Sequence, residues 1–329
     1  MASPDPGLTP FLIFVGSGRS GTTLFRNIFD AHPDLAMTHE AHFIAPMAQH
    51  RQRYELRPGV DIDRFVADLY ANPNFRRQQI PSPDLRTALA AAKPADFAAA
   101  VRTVFATYAT SHGKSRYGDK TPGYVNHLGL LGDVFPEARF VHIIRDGRDV
   151  AMAYLDRDEW GPSTLAETAL YWRSRVGRGR KAGAALGPEC YREVRYEDMV
   201  DDPEGTTRSL CDFAGIDFRA EMLDYHERGA AFIASSATPE AFSGLAKPIT
   251  RGMRDWRTQM APDAVAFFEA IAGELLTDLG YERATTSSTM KVRAKVVAGQ
   301  VAWQGKRVAA KVTPLMRRIR RKSLRTPVS

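Results

Sequence analysis

Two cysteines in 329 residues, Cys190 and Cys211, are too few for a disulfide framework and match no zinc spacing. They suit a reducing compartment and read as small buried residues. No apolar run reaches the roughly 18 residues of a membrane-spanning helix. The opening MASPDPGLTP has neither the basic start nor the apolar stretch of a signal peptide. A cytoplasmic protein is the expectation. Acidic residues are also missing from one region: after Glu282 there are 13 Lys or Arg and no Asp or Glu. Positions 1–282 hold 32 basic against 38 acidic residues, so the net charge of +7 belongs to the tail. An argument from basicity to nucleic acid therefore concerns the tail and not the fold. No specific nucleic-acid partner is expected.

The rest reads as ordinary globular sequence, 44% hydrophobic and 25% charged. PFLIFVG (10–16) is a short apolar run ending in glycine, a buried strand. TTLFRNIFDAH continues as a helix, so strand, glycine loop and helix open an α/β unit. Residues 40–112 are mostly helical in pattern, with DIDRFVADLY and PADFAAAVRTVFATYATSH the clearest helices. SRYGDKTP reads as a strand reaching a turn, GYVNHLGLLGDVF as a helix, and ARFVHII as a second strong buried strand. DGRDVAMAYLDR begins another helix, a long one follows over 163–185, and CYREVRYEDM is a further strand. Pro203 and Gly215 bracket a helix as first-turn proline and terminal glycine. APDAVAFFEAIAGELLTDLGY closes the body. The expected fold is α/β, a P-loop-like central parallel sheet flanked by helices. One domain spans 1–283 with a helical insert at about 44–113, and a basic tail occupies 284–329. In the tail Val292, Val296, Trp303, Val312 and Ile319 have a loose helical period broken by two glycines and Pro314. It reads either as a partly disordered tail or as a surface helix on an anionic membrane.

The loop VGSGRSGTT carries the chemistry. Gly16 and Gly21 have Walker A spacing, but Thr22 stands in place of the lysine. Strand, glycine loop and helix still present backbone N–H groups and a helix N-terminus to an anion. Gly16, Gly18 and Gly21 allow close approach, and Ser20, Thr22 and Thr23 can donate hydroxyls. A glycine-rich turn without a ligand is the plain alternative. FVHIIRDGRD ends its strand in Arg145, where a magnesium-binding aspartate would be needed for ATP chemistry. An arginine there suits an anion better than a metal. Two anion sites at two strand ends suggest a nucleotide with phosphates at two separated places, and no metal.

GRSGTT followed by AHPDL resembles the 5′-phosphosulfate loop of the sulfotransferases that use 3′-phosphoadenosine 5′-phosphosulfate (PAPS). FVHIIRDGRDVAMAY is similar to that family's 3′-phosphate motif. VRYEDMVDDPEGTTRSLCDFAGI and RGMRDWRTQMAPDAVAFFEAIAGELLTDLGY are similar to its next two blocks. The likeness is patchy over 44–113 and ends near 282. GRSGTTLFRNIFDAHPDLAMTHEAHF resembles most the tyrosylprotein and related Golgi-type branch.

The resemblance implies in-line transfer of a sulfuryl group from PAPS to an acceptor hydroxyl on a small molecule, glycan or glycolipid, releasing PAP, the 3′,5′-bisphosphate of adenosine. Gly18, Arg19, Ser20, Gly21, Thr22 and Thr23 would hold the 5′ end. Arg19, always charged, would clamp the leaving oxygen without acting as an acid, and Lys120 would hold the sulfuryl oxygens. Glu40, soon after the first helix, matches the branch's catalytic base. His39 and His42 are rival bases, and a helix-starting carboxylate is the plain alternative for Glu40. Arg145 would bind the 3′-phosphate, Tyr196 would lie near adenine, and Arg251 would add charge. The family's serine eight residues after that arginine is Ala153 here. Trp256 reads as packing, and Arg148 with Asp149 as a surface ion pair at a helix start.

Three other readings stay open. The acceptor could be a peptide tyrosine, met by Arg51, Arg53, Arg57, Arg76 and Arg77 of the insert. The chain could be a nucleotide kinase or NTPase, which the absent lysine opposes. It could also be a binding protein that docks on membrane through its tail.

Overall fold

The computed structural model describes residues 9–56, 58–156, 161–227, 246, 247, 249, 255–284, 294 and 296–306. The chain separates into two compact units, 1–145 with 175–253, and 146–174 with 254–329. Strands β1 (Leu12–Gly16), β2 (Leu35–His39), β5 (Arg116–Lys120), β6 (Arg139–Ile144) and β7 (Tyr191–Arg195) form one sheet in the order β2-β5-β1-β6-β7. All its pairings are parallel. The two-residue strands β3 (Glu55–Leu56) and β4 (Gly59–Val60) pair as a small hairpin.

The alternation of β1 shows why this sheet forms. Phe11, Ile13 and Val15 enter one apolar core with Ala36 and Phe140, whereas Leu12 and Phe14 enter another with Leu35, Met37, Val141 and Ile143. A parallel sheet covered on both faces needs such a continuous apolar run. Helix α1 (Thr22–Asp30) covers the second face, with Phe14 edge-on to Phe25 and Phe29 at 6.3 and 5.0 Å. Arg26 of α1 donates to the Met37 carbonyl through Nε at 2.9 Å, fastening α1 to β2.

The insert is helical: α2 (Ile44–Ala48), α3 (Ile62–Ala71), α4 (Pro73–Arg76), α5 (Ser82–Ala92) and α6 (Phe97–Ser111). Asp61 and Asp96 cap α3 and α6, each accepting a backbone N–H three residues on. The expected helix over 123–135 divides into a 3₁₀ turn, Pro122–Asn126, and α7 (Leu128–Val134). Later come α8 (Gly147–Leu155), α9 (Leu165–Leu186), α10 (Tyr196–Asp201), α11 (Pro203–Ala214), α12 (Trp256–Gln259) and α13 (Pro262–Asp278). Helix α11 starts at Pro203 behind the Asp202 cap and ends on Gly215 at φ 64°, as the sequence boundaries require.

In the second unit one expectation is corrected. Arg148 is no surface residue: it is 0% exposed. It pairs with Asp146 at 2.7 Å and Glu269 at 2.6 Å, and its guanidinium lies 3.5 Å from the Trp256 ring centroid. Asp149 accepts the Trp256 backbone N–H at 2.9 Å. The spacing of Arg148 and Asp149 suggested an i,i+1 pair, but residues one apart on a helix do not face each other, and each finds a distant partner instead. Trp256 is buried packing, as its sequence context implied. Among the described residues no helix is long and apolar enough to cross a membrane.

Candidate active site

Ligands of parallel α/β sheets sit beyond the carboxyl ends of the strands. At that end of this sheet every strand delivers one candidate residue of the sequence reading. β1 runs into the glycine loop, β2 into Glu40, β5 ends on Lys120, β6 runs into Arg145, and β7 into Tyr196. The register makes two of them neighbours. His39 lies opposite Lys120 in the β2–β5 pairing, and Glu40 N–H extends the ladder to the Lys120 carbonyl at 2.9 Å.

β2, a five-residue edge strand with no strong apolar signature of its own, is what places Glu40. Beside it on β5 lies Asp119, a fully buried carboxylate absent from the candidate residues of the sequence. Its Oδ1 accepts the Thr38 hydroxyl at 2.7 Å and the Ala41 N–H at 3.3 Å, gripping the chain on both sides of Glu40. Burial pushes the Asp119 pKa up. Its only sequence signal was a lone acid just before Lys120 at a strand end.

Lys120 is 0% exposed. Its Nζ donates to Glu40 Oε1 at 2.7 Å and lies 3.4 Å from Thr23 Oγ1 and 3.3 Å from His39 Nε2. Burial drags the lysine pKa down, and the Glu40 charge partly restores it. Burial also works to raise Glu40, but the charge of Lys120 and the hydrogen bond from His42 outweigh it and hold the carboxyl well below the usual carboxylate range. His42 Nε2 sits 3.0 Å from the other carboxylate oxygen, Oε2. Glu40 is therefore a fixed carboxylate with one partner on each oxygen. It starts no helix, since α2 begins only at Ile44.

The rival bases fare differently. Burial, then the Lys120 charge, takes His39 down to about 3. A ring beside a buried ammonium stays neutral, and its Nε2 serves that ammonium as an acceptor. His42 is tied to Glu40 and orients it.

The loop itself is tight. Gly21 has φ 83°, and a Cβ there would lie 2.3 Å from Tyr196 Cδ2. Glycine is needed for both the backbone angle and the contact. Tyr196 is thus no plain core aromatic: one side packs on the loop, and Arg145 stacks over its ring at 4.5 Å from the centroid. Ser20 is fully buried, and its Oγ has no hydrogen-bond partner among the described residues. A buried hydroxyl without a partner is costly unless a ligand completes it. Thr22 is buried at the first turn of α1, and Thr23 reaches Lys120.

Three non-glycine residues hold left-handed backbone at this corner: Arg19 (φ 66°), Glu40 (φ 50°) and His42 (φ 50°). Such strain collects where function fixes a side chain. Arg251 lies outside the described residues, as does Arg57 of the insert. Among the described residues no group of three His, Cys, Asp or Glu could hold a metal ion.

Comparisons with known proteins bear on the family and the fold. A family model described as "Sulfotransferase family" matches residues 10–220, and one described as "Sulfotransferase domain" matches 186–280. "Protein-tyrosine sulfotransferase A" of Caenorhabditis elegans is 22% identical over 281 residues, 83% of this chain and 68% of that protein. "Carbohydrate sulfotransferase 2" of Homo sapiens is 31% identical over 107 residues, 32% of this chain and 20% of that protein. The solved "Sulfotransferase Domain from the Synechococcus PCC 7002 Olefin Synthase" shares the fold, with TM-score 0.55, 23% identity, and coverage of 86% of this chain and 97% of that one.

Proposed function

Since the chain belongs to the sulfotransferase family, we propose that it moves a sulfuryl group from PAPS to an acceptor hydroxyl, with Glu40 as base. The observation that carries this is Glu40 at 2.7 Å from a fully buried Lys120, beside a loop whose Ser20 hydroxyl awaits an acceptor. The residues fit the donor. The glycine loop, the α1 N-terminus and Ser20, Thr22 and Thr23 suit its 5′-phosphosulfate, and Arg145 on Tyr196 suits the 3′-phosphate beside adenine. The bound donor supplies the sulfuryl group and its leaving phosphate.

Arg19 holds positive charge beside the bond that breaks. Lys120 holds the sulfuryl oxygens, and fixed charges of this kind need no reorganisation during transfer. Glu40 Oε1 takes the acceptor proton while His42 keeps Oε2 in place. Ala153 offers no hydroxyl to the 3′-phosphate, the loss of about 1 kcal/mol of neutral hydrogen bonding. Arg251 is assigned to that phosphate as part of the proposal, and residues 1–283 to one catalytic domain.

The acceptor is a hydroxyl on a small molecule, glycan or glycolipid; a peptide tyrosine is the second reading, favoured by one observation. Arg51 donates to the Ala48 carbonyl, Arg53 faces Asp68 at 3.6 Å, and Arg76 donates to the Tyr70 carbonyl. The Arg77 side chain has no such partner among the described residues, and its charge reaches His39 beside the base. An acidic acceptor would meet Arg77 first.

PAP should raise the melting temperature of the protein by a few degrees at saturating concentration, and ATP much less. Equal shifts from the two nucleotides would sink the reading and favour a nucleotide kinase.

The proposal also places the enzyme on the cytoplasmic face of an anionic membrane. The described helical residues 296–306 bring Gly299 against Ala166 and Lys306 to Glu167. They leave Val297 59% and Val301 65% exposed, one turn apart. An apolar face next to a run of Lys and Arg suits an anionic lipid surface. The full chain should sediment with phosphatidylglycerol vesicles at low salt and remain in solution with neutral ones. Val297→Asp/Val301→Asp should weaken that binding without changing the response to PAP. Binding that is indifferent to lipid charge would remove the membrane from the proposal.

A further inference from the structure

An ammonium group has three N–H donors. In this structure Lys120 has three acceptors around Nζ: Glu40 Oε1 at 2.7 Å, His39 Nε2 at 3.3 Å and Thr23 Oγ1 at 3.4 Å. The lysine is fully buried. It has no spare donor and no water-facing side from which to acquire one. Yet the roles proposed above ask it to hold sulfuryl oxygens. A new anionic acceptor must displace or share a present one, and the only other anion among the three is the carboxylate of Glu40.

We propose that Glu40 competes with the sulfuryl group for Lys120, so that the base is tied down in the resting site and released only when a sulfuryl group is in place. This rests on the reading of PAPS as donor and Glu40 as base. While Lys120 and His42 each hold one carboxylate oxygen, Glu40 has little affinity for an acceptor's proton. When Lys120 turns to a sulfuryl oxygen, Oε1 loses its strongest partner and becomes the open, more basic oxygen. Oε2 remains on His42, so the carboxylate does not swing away. The backbone supports a fixed pivot: Glu40 N–H stays on the Lys120 carbonyl, and Asp119 grips Ala41. Only the side chains need to exchange. The donor thus strengthens the base that will use it, and an acceptor alone meets a weak base.

The competition can be read from binding alone. PAP lacks the sulfuryl group but carries the same formal charge as PAPS above neutral pH, so the ratio of the two affinities cancels long-range charge effects. Titration calorimetry without acceptor should be run on the full chain for wild type, Glu40→Gln, Lys120→Met and the double variant. Each variant's response to PAP reports an intact nucleotide site. Glu40→Gln frees Lys120, so the PAPS-to-PAP affinity ratio should rise on the order of tenfold, the equivalent of one charge-assisted hydrogen bond. Lys120→Met should lower the ratio. In the Lys120→Met background Glu40→Gln should change it no further, because there is no cation left to compete for. A ratio that stays level or falls in Glu40→Gln overturns the proposal, as does a rise that persists without Lys120. If wild type binds neither nucleotide, the donor assignment itself fails, and this inference falls with it.

Discussion

Glu40→Gln is expected to slow sulfuryl transfer by about 10²–10⁴-fold, the usual contribution of a positioned general base. The fold should survive, because an amide fills nearly the same space as the carboxylate and leaves the backbone hydrogen bond from Glu40 to the Lys120 carbonyl in place. PAP should therefore continue to stabilise the variant, which separates loss of the base from loss of the site. The effect should lie in kcat, since the proton moves in the transition state and not on binding. Substantial residual turnover would move the base to His42, the other titratable ring at 3.0 Å from this carboxylate. His39 is a poor successor, because a neutral ring at about 3 beside Lys120 cannot keep a proton near neutral pH.

Arg148→Ala should destabilise the chain by about 3–5 kcal/mol, the cost of removing one partner from a buried ion pair. Its guanidinium donates to Asp146, to Glu269 and to the Glu282 carbonyl. Glu269 is as buried as the arginine, so truncation takes the nearest cation from a buried carboxylate, which keeps the Ala284 N–H at 2.9 Å and Arg283 at 3.9 Å, and empties a slot beside Trp256. Urea denaturation should show a lower midpoint with an unchanged slope. Arg148→Met/Glu269→Gln should recover part of the loss, since the damage lies in the stranded charge more than in the missing pair. A stability loss below about 1 kcal/mol, the usual ceiling for an exposed pair, would contradict the burial seen here.

Much of this architecture was legible in the chain. β1 and β6 are apolar runs long enough to be buried on both faces, and Pro203, Gly215 and the capping aspartates carry their boundaries in their own chemistry. The loop was legible because glycine spacing is itself a backbone constraint. β2 was not, because LAMTH has five residues, ends in a polar pair, and is held as a strand chiefly by its β5 partner. The burial of Arg148 was hidden for a related reason: its acceptors Glu269 and the Glu282 carbonyl lie more than 120 positions away. The candidate residues Glu40, Lys120, Arg145 and Tyr196 could be named from motifs. Their mutual geometry follows from strand order, which no local pattern encodes.

The left-handed backbone at Arg19, Glu40 and His42 bears on how this protein can be engineered. Glycine or asparagine at these positions would relax the main chain, so a search for heat-tolerant variants would be drawn to them. Each such gain would remove the guanidinium, the carboxylate or the imidazole for which the strain is kept. Libraries aimed at robustness should leave this corner untouched and place their changes in the helical insert and on the outer faces of α5 and α6.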